Sequence, residues 1–196
     1  MVERRFREEL LAVAPDARDA WVDRRFGLAG HDGLPEDDPA LPQGCVPYLP
    51  SSVDVVLRMI DAADVRESDV FVDVGMGVGR TAALVHLLSG ARVTGVEIQP
   101  ALVAAARALT ERLALSRVSC VEGDAAERMA ELADGTVFYL YCPFGGERLA
   151  RVLAALEVVA AQRPIRIGCV DLPLPPCPWL TFDEPRHGDL AIYASR

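Results

Sequence analysis

The 196 residues predict an α/β fold, a seven-stranded, mostly parallel sheet with helices on both faces, a C-terminal antiparallel hairpin and a short N-terminal helical appendage. Three observations predict it. Beyond residue 51, short apolar runs rich in Val, Ile and aromatics alternate with segments of helical period. One such run, Val70–Val74, passes directly into a glycine loop and then an apolar helix. The chain ends on two strand-like runs around Pro185-Arg186-His187-Gly188. Alternation of this kind implies right-handed crossovers and a parallel sheet.

Taken in order, Val2, Phe6, Leu10 and Val13 share one helical face, and Pro15 ends the pattern. A second short helix carries Trp21 and Phe26 before Gly27. Gly30 to Gly44 concentrates Gly, Pro and Asp without periodicity and reads as an exposed loop. Ser51 or Ser52 can cap a helix whose apolar face is Val53, Val56, Met59, Ile60 and Ala63. Strands are expected at Val70–Val74, Arg92–Glu97, Val118–Glu122, Thr136–Cys142 and Ile165–Leu172. Helical stripes run through Leu102, Ala105, Ala106, Leu109 and Leu113, and through Leu149, Val152, Leu153, Leu156 and Val159. Trp179–Glu184 and Asp189–Ala194 form the arms of the hairpin. The length suits one core, divided into an appendage with its acidic loop (1–50) and a main domain (51–196).

The net charge of −9 repels phosphate backbones and anionic lipid, which disfavours general nucleic-acid or membrane binding. All 20 basic residues are arginine, so every side-chain cation other than histidine is permanently charged. Cys45, Cys120, Cys142, Cys169 and Cys177 form no Cys-x-x-Cys pair and read as small hydrophobes in a reducing compartment. The N-terminus lacks the apolar run of a leader or membrane span, so a cytoplasmic location is expected. His31, His86 and His187 have no partners at metal-ligand spacing, and no metal is predicted.

The chemistry concentrates around Asp73-Val74-Gly75-Met76-Gly77-Val78-Gly79. Glycine admits positive φ and close backbone approach, and the helix N-terminus that follows offers N–H groups to an anion. A dinucleotide fingerprint needs its third glycine where Arg80 stands, which argues against a nucleotide-linked oxidoreductase. About twenty residues on, Glu97 ends a strand where a carboxylate can accept hydrogen bonds from a ribose diol. Asp124 ends the next strand, where it can cap a helix or accept an amino hydrogen.

Asp-x-Gly-x-Gly-x-Gly after a strand resembles the signature loop of the class I, Rossmann-like S-adenosylmethionine-dependent methyltransferases, over roughly Val53 to the C-terminus. The resemblance implies S-adenosylmethionine as cofactor, with contacts from Asp73, Gly75, Met76, Gly77 and Gly79 of the loop. It implies further that Glu97 holds the ribose hydroxyls, Ile98 lies against adenine, and Asp124 with Ala125 meets the adenine amino group. Upstream, Val46-Pro47-Tyr48-Leu49-Pro50-Ser51 resembles the non-SET histone-lysine methyltransferases and their bacterial relatives. There the segment before the glycine loop closes over the cofactor, which implies that Tyr48 lines the methionine side; a histone substrate is not implied.

Amine and amide methyltransferases place Asn or Asp, prolines and an aromatic at the end of the fourth strand. This chain has Tyr141-Cys142-Pro143-Phe144, with Cys142 in place of the polar acceptor. Tyr141, Cys142 and Phe144 are the catalytic candidates. Cys142 also counts among the cofactor contacts, and packing is its simpler role. The expected function is methyl transfer to an unidentified protein side chain or small molecule. The alternative is a non-catalytic S-adenosylmethionine-binding protein whose acceptor site is lost at Cys142.

Overall fold

The computed structural model describes residues 2–29, 35–187 and 189–196, with 2–4 and 183–187 described by backbone alone. Its elements are α1 (Val2–Leu11), α2 (Arg18–Phe26), α3 (Val53–Ala62), β1 (Val70–Val74), α4 (Arg80–Ser89), β2 (Arg92–Glu97), α5 (Pro100–Arg112), β3 (Val118–Glu122), α6 (Ala125–Arg128), β4 (Val137–Tyr141), α7 (Gly146–Ala160), β5 (Arg166–Val170), β6 (Leu180–His187) and β7 (Leu190–Ser195). The seven strands lie in the order β3-β2-β1-β4-β5-β7-β6. β1 to β5 pair in parallel, and β7 runs antiparallel to both β5 and β6. The chain therefore leaves β1 toward β2 and β3 on one side and returns to β4 on the other. That reversal opens a crevice at the carboxyl ends of β1 and β4.

The sheet divides the expected single core in two. One face buries Phe6, Leu10, Val22, Phe26, Met59 and Leu84, so the appendage shares a cluster with α3 and α4. The other buries Leu149, Val152, Leu153 and Leu156 of α7 against Phe138 and Leu140 of β4. Ser52 is the cap of α3, its side chain accepting the Val55 N–H. Several boundaries differ from expectation. β4 stops at Tyr141 and β5 at Val170, because the next residues, Cys142 and Asp171, have φ of 41° and 49° and leave the extended region. β6 continues to His187 through residues expected in the turn, with a register shift between Asp183 and His187. Its position at the sheet edge tolerates Pro185, whose missing N–H breaks no interior ladder. His31 and Gly188 lie outside the described residues.

The appendage is fastened by Arg80 at the start of α4. This guanidinium, in a residue only 4% exposed, donates from Nε to Asp23 (2.7 Å), from Nη2 to Asp19 (2.8 Å) and from Nη1 to the Ser51 carbonyl (2.6 Å). Asp19 also accepts the Val53 N–H at 3.0 Å, so α2, α3 and α4 meet at one charge cluster. Removing a buried charge strands its partners, and here the two carboxylates are partly solvated, which reduces the cost. Arg80→Met is expected to lower stability by about 2–3 kcal/mol, read as a reduced urea midpoint at constant slope. An unchanged midpoint would show that the cluster holds nothing together.

Candidate functional site

A cavity continuous with solvent lies at the carboxyl ends of β1, β2 and β4. It brings together Tyr48, Asp73, Gly75, Met76, Glu97, Ile98, Asp124, Ala125, Tyr141, Cys142 and Phe144 from the residues singled out in the sequence. Gly77 and Gly79 are not among its walls. Gly77, with φ of 54°, lies under the Tyr48 ring, and a Cβ there would stand 2.1 Å from Tyr48 Cε2. Gly79 takes the left-handed cap position of α4, and its Cβ would meet Ala106 at 3.0 Å. Both glycines are required by packing within the protein.

The loop's amides are also committed internally. The N–H groups of Gly75 and Met76 both donate to the Val96 carbonyl, at 2.9 and 3.0 Å, and the Gly77 N–H donates to Glu97 Oε2 at 3.0 Å. No free N–H for an anion is therefore left at these three positions. Met76 folds back onto β2, where Gly95 leaves room: a Cβ there would meet the Met76 sulfur at 2.3 Å.

Glu97 is buried, not at an open strand end. Its Oε1 accepts the Gln99 N–H at 2.9 Å while Oε2 holds Gly77, so it pins the loop to β2. Burial raises its pKa above the usual carboxylate range, and the N–H donors of Gln99 and Gly77 oppose that rise. Asp73, at the end of β1, is buried more completely. It accepts the Ala82 N–H of α4, while Oδ2 has no hydrogen-bond partner. Burial, reinforced by the Glu97 charge, pushes its pKa up to about 7.

Asp124 fills the capping role: Oδ1 accepts the Ala126 N–H at 2.9 Å. Its Oδ2 accepts from Arg148 Nε at 3.0 Å, a partner on α7 that no sequence spacing announces. Arg148 also reaches Cys45 Sγ at 3.2 Å. These contacts belong to a strap, residues 37–48, that crosses the cavity. At the β2 end Asp37 accepts from Gln99 Nε2 and the Tyr48 N–H, at 2.8 and 2.9 Å, and the Asp38 N–H donates to Gln99 Oε1 at 2.7 Å. At the β4 end the Val46 N–H donates to the Pro143 carbonyl (3.1 Å), and the Gly145 N–H donates to the Gly44 carbonyl (3.2 Å). Tyr48 is thereby held over the loop, and burial pushes its hydroxyl up to about 12.

Past β4, Phe144 is buried, and Cys142 is half-buried with a positive φ. The Tyr141 hydroxyl is raised by burial and by the carboxylates of Asp171 and Asp189. Sequence reasoning did not identify Arg80, Gln99, Arg148 and Cys45 as lining residues. Arg80 was visible only as an interruption of the dinucleotide pattern, and the other three carried no motif.

A family profile described as a methyltransferase domain matches residues 71–161. The protein-L-isoaspartate O-methyltransferase of Koribacter versatilis is 33% identical over 133 residues, 67% of this chain and 57% of that protein. The 23S rRNA (uracil(1939)-C(5))-methyltransferase RlmD of Chromohalobacter salexigens is 34% identical over 149 residues, 72% of this chain and 30% of that protein. The chain thus spans little more than half of one curated relative and under a third of the other. Among solved structures, an RNA methyltransferase from Salinibacter ruber in complex with S-adenosyl-L-homocysteine superposes with a TM-score of 0.58 at 27% identity. The match covers 75% of this chain and 92% of that one. With its glycine loop and strand order, the chain has the Rossmann-like fold of the class I S-adenosylmethionine-dependent methyltransferases, and the proteins it is similar to are methyltransferases.

Proposed function

We propose that this chain transfers a methyl group from S-adenosylmethionine to an acceptor that enters between the strap and the end of β4. The observation that carries the reading is the set of carboxylates at three adjacent strand ends, Asp73, Glu97 and Asp124, around one strapped cavity. The residues fit the cofactor. Asp73 Oδ2 is a buried acceptor without a partner, and Glu97, which accepts the backbone N–H groups of Gly77, Ile98 and Gln99, keeps acceptor capacity toward the cavity it lines. Glu97 would hold the ribose hydroxyls, Ile98 the adenine face, Asp124 and Ala125 the adenine amino end. Gly75, Met76 and Tyr48 would bound the methionine part. The local likeness of the strap to the non-SET histone-lysine family supports this place for Tyr48 and carries no statement about substrate.

When bound, S-adenosylmethionine supplies a sulfonium methyl open to in-line displacement. The protein's part is alignment, which can supply much of the acceleration in such a reaction. Tyr48, Tyr141 and Phe144 present aromatic faces suited to a cation. Cys142 shapes the acceptor side. We place the activity in residues 51–196, with 1–50 contributing the appendage and strap. Among the described residues no helix is long and apolar enough to cross a membrane. With the net charge of −9, this supports a cytoplasmic protein acting on a small molecule or protein side chain rather than on nucleic acid at large. A second reading, cofactor binding without turnover, rests on Cys142 standing where related enzymes have an acceptor amide or carboxylate. Release of S-adenosylhomocysteine in the presence of cell extract decides between the two.

Glu97→Gln removes the charge that strengthens the diol contact, and calorimetry should show affinity for S-adenosylmethionine reduced about ten- to a thousandfold. The same variant should melt lower without cofactor, because one amide oxygen replaces the two that serve Gly77 and Gln99. Parent-like binding would remove the ribose contact from this reading. Cys142→Ala is expected to bind cofactor like the parent and to lose little turnover. A loss beyond about a thousandfold, worth about 4 kcal/mol, would reassign Cys142 to covalent chemistry.

A further inference from the structure

The carboxyl of Asp73 has one oxygen that the fold does not use. Asp73 lines the cavity, its residue is 3% exposed, and Oδ2 is the one buried side-chain nitrogen or oxygen without a hydrogen-bond partner among the described residues. The groups around it offer no cation. Glu97 faces it from β2, Tyr139 from β4, Cys120 from β3 and Tyr48 from the strap. From α4 it receives only the Ala82 N–H, and the charge of Arg80 is spent on Asp19 and Asp23. An isolated carboxylate in such surroundings holds its proton well above the usual carboxylate range, and a positive charge arriving beside it favours ionisation.

We propose that Asp73 is a proton-linked contact for the cofactor's positive charge: neutral in the free protein, it ionises as the cationic methyl donor binds, so donor and spent product are held with different proton counts. The proposal rests on the methyltransferase reading above. S-adenosylmethionine carries a sulfonium and an ammonium against one carboxylate. S-adenosylhomocysteine has lost the sulfonium charge and is neutral overall. Transfer of the methyl moves that positive charge to the acceptor, and once the methylated acceptor and the proton it sheds have left, the cavity holding Asp73 and Glu97 contains one positive charge fewer. Below about pH 7 a proton then returns to Asp73 from solvent, so donor and product differ in the protons they are held with.

The sign of the linkage follows from the same geometry. The pKa of Asp73 rises from 3.8 to about 7 on folding, so the free protein loses stability as pH rises between those values and changes little above them. A ligand that requires the ionised form must expel the proton below pH 7. Its apparent affinity then climbs by about tenfold per pH unit on the acid side and levels off near neutrality.

The test is titration calorimetry of the full chain with S-adenosylmethionine and with S-adenosylhomocysteine, repeated in buffers of different ionisation enthalpy. At about pH 6, binding of the methyl donor should release close to one proton, falling toward none by about pH 8, while the product releases distinctly fewer at the lower pH. Asp73→Asn should abolish the release at the lower pH and flatten the affinity profile. Binding of the donor without proton release, equal release for the two ligands, or release that persists in Asp73→Asn would each overturn the proposal and leave the methyltransferase reading standing. Absence of any binding would overturn both. Should the variant fail to fold, the pH series and the comparison of the two ligands on the parent protein decide the matter alone.

Discussion

The site depends on the carboxylate of Glu97. One oxygen holds the glycine loop through Gly77, and the other holds the Gln99 N–H. The Gln99 side chain in turn grips Asp37 and Asp38 of the strap. A single buried anion at the end of β2 thus fixes the floor of the cavity directly and its roof at one remove. Burying it costs solvation, which the backbone donors offset without introducing a competing cation. With those protein bonds and the Ile98 N–H in place, its remaining acceptor capacity has a fixed position, and a ligand meets a carboxylate that has little freedom left to lose.

Arg80 performs a comparable service on the other side of the loop. It begins α4 immediately after Gly79, yet its contacts are with α2 and with Ser51 ahead of α3. Ser51 also meets the Tyr139 hydroxyl at 2.9 Å, carrying the connection into β4 beneath the cavity. The appendage is consequently tied to the glycine loop through charge and hydrogen bonds as well as through Phe6, Trp21 and Phe26.

Much of this was legible in the chain. The parallel strands, the buried stripe of α7 and the Ser52 cap follow from period and composition, because each is decided by residues close in sequence. The convergence of Asp73, Glu97 and Asp124 was legible for a different reason: each ends a strand of one parallel sheet, so topology alone brings them together. What was not legible depends on distant partners. The burial of Glu97 reflects the strap above it, the space over Gly77 is filled by a ring twenty-nine residues earlier, and Arg148 finds Asp124 across two elements. Nor does a sequence show that β6 keeps its ladder past Pro185, since that depends on which strand lies at the edge.

That edge has a consequence for how the molecule meets copies of itself. An outermost strand presents unused backbone groups, and a long regular one is a template for pairing with another chain. β6 is eight residues long and would be such a template. Pro185 removes a donor partway along it, and the register shift between Asp183 and His187 breaks the regular spacing of those that remain. A second copy aligning its own edge would find a ladder that cannot be completed. The irregularity in the final hairpin therefore makes this edge a poorer template for pairing, at the end of the sheet farthest from β3.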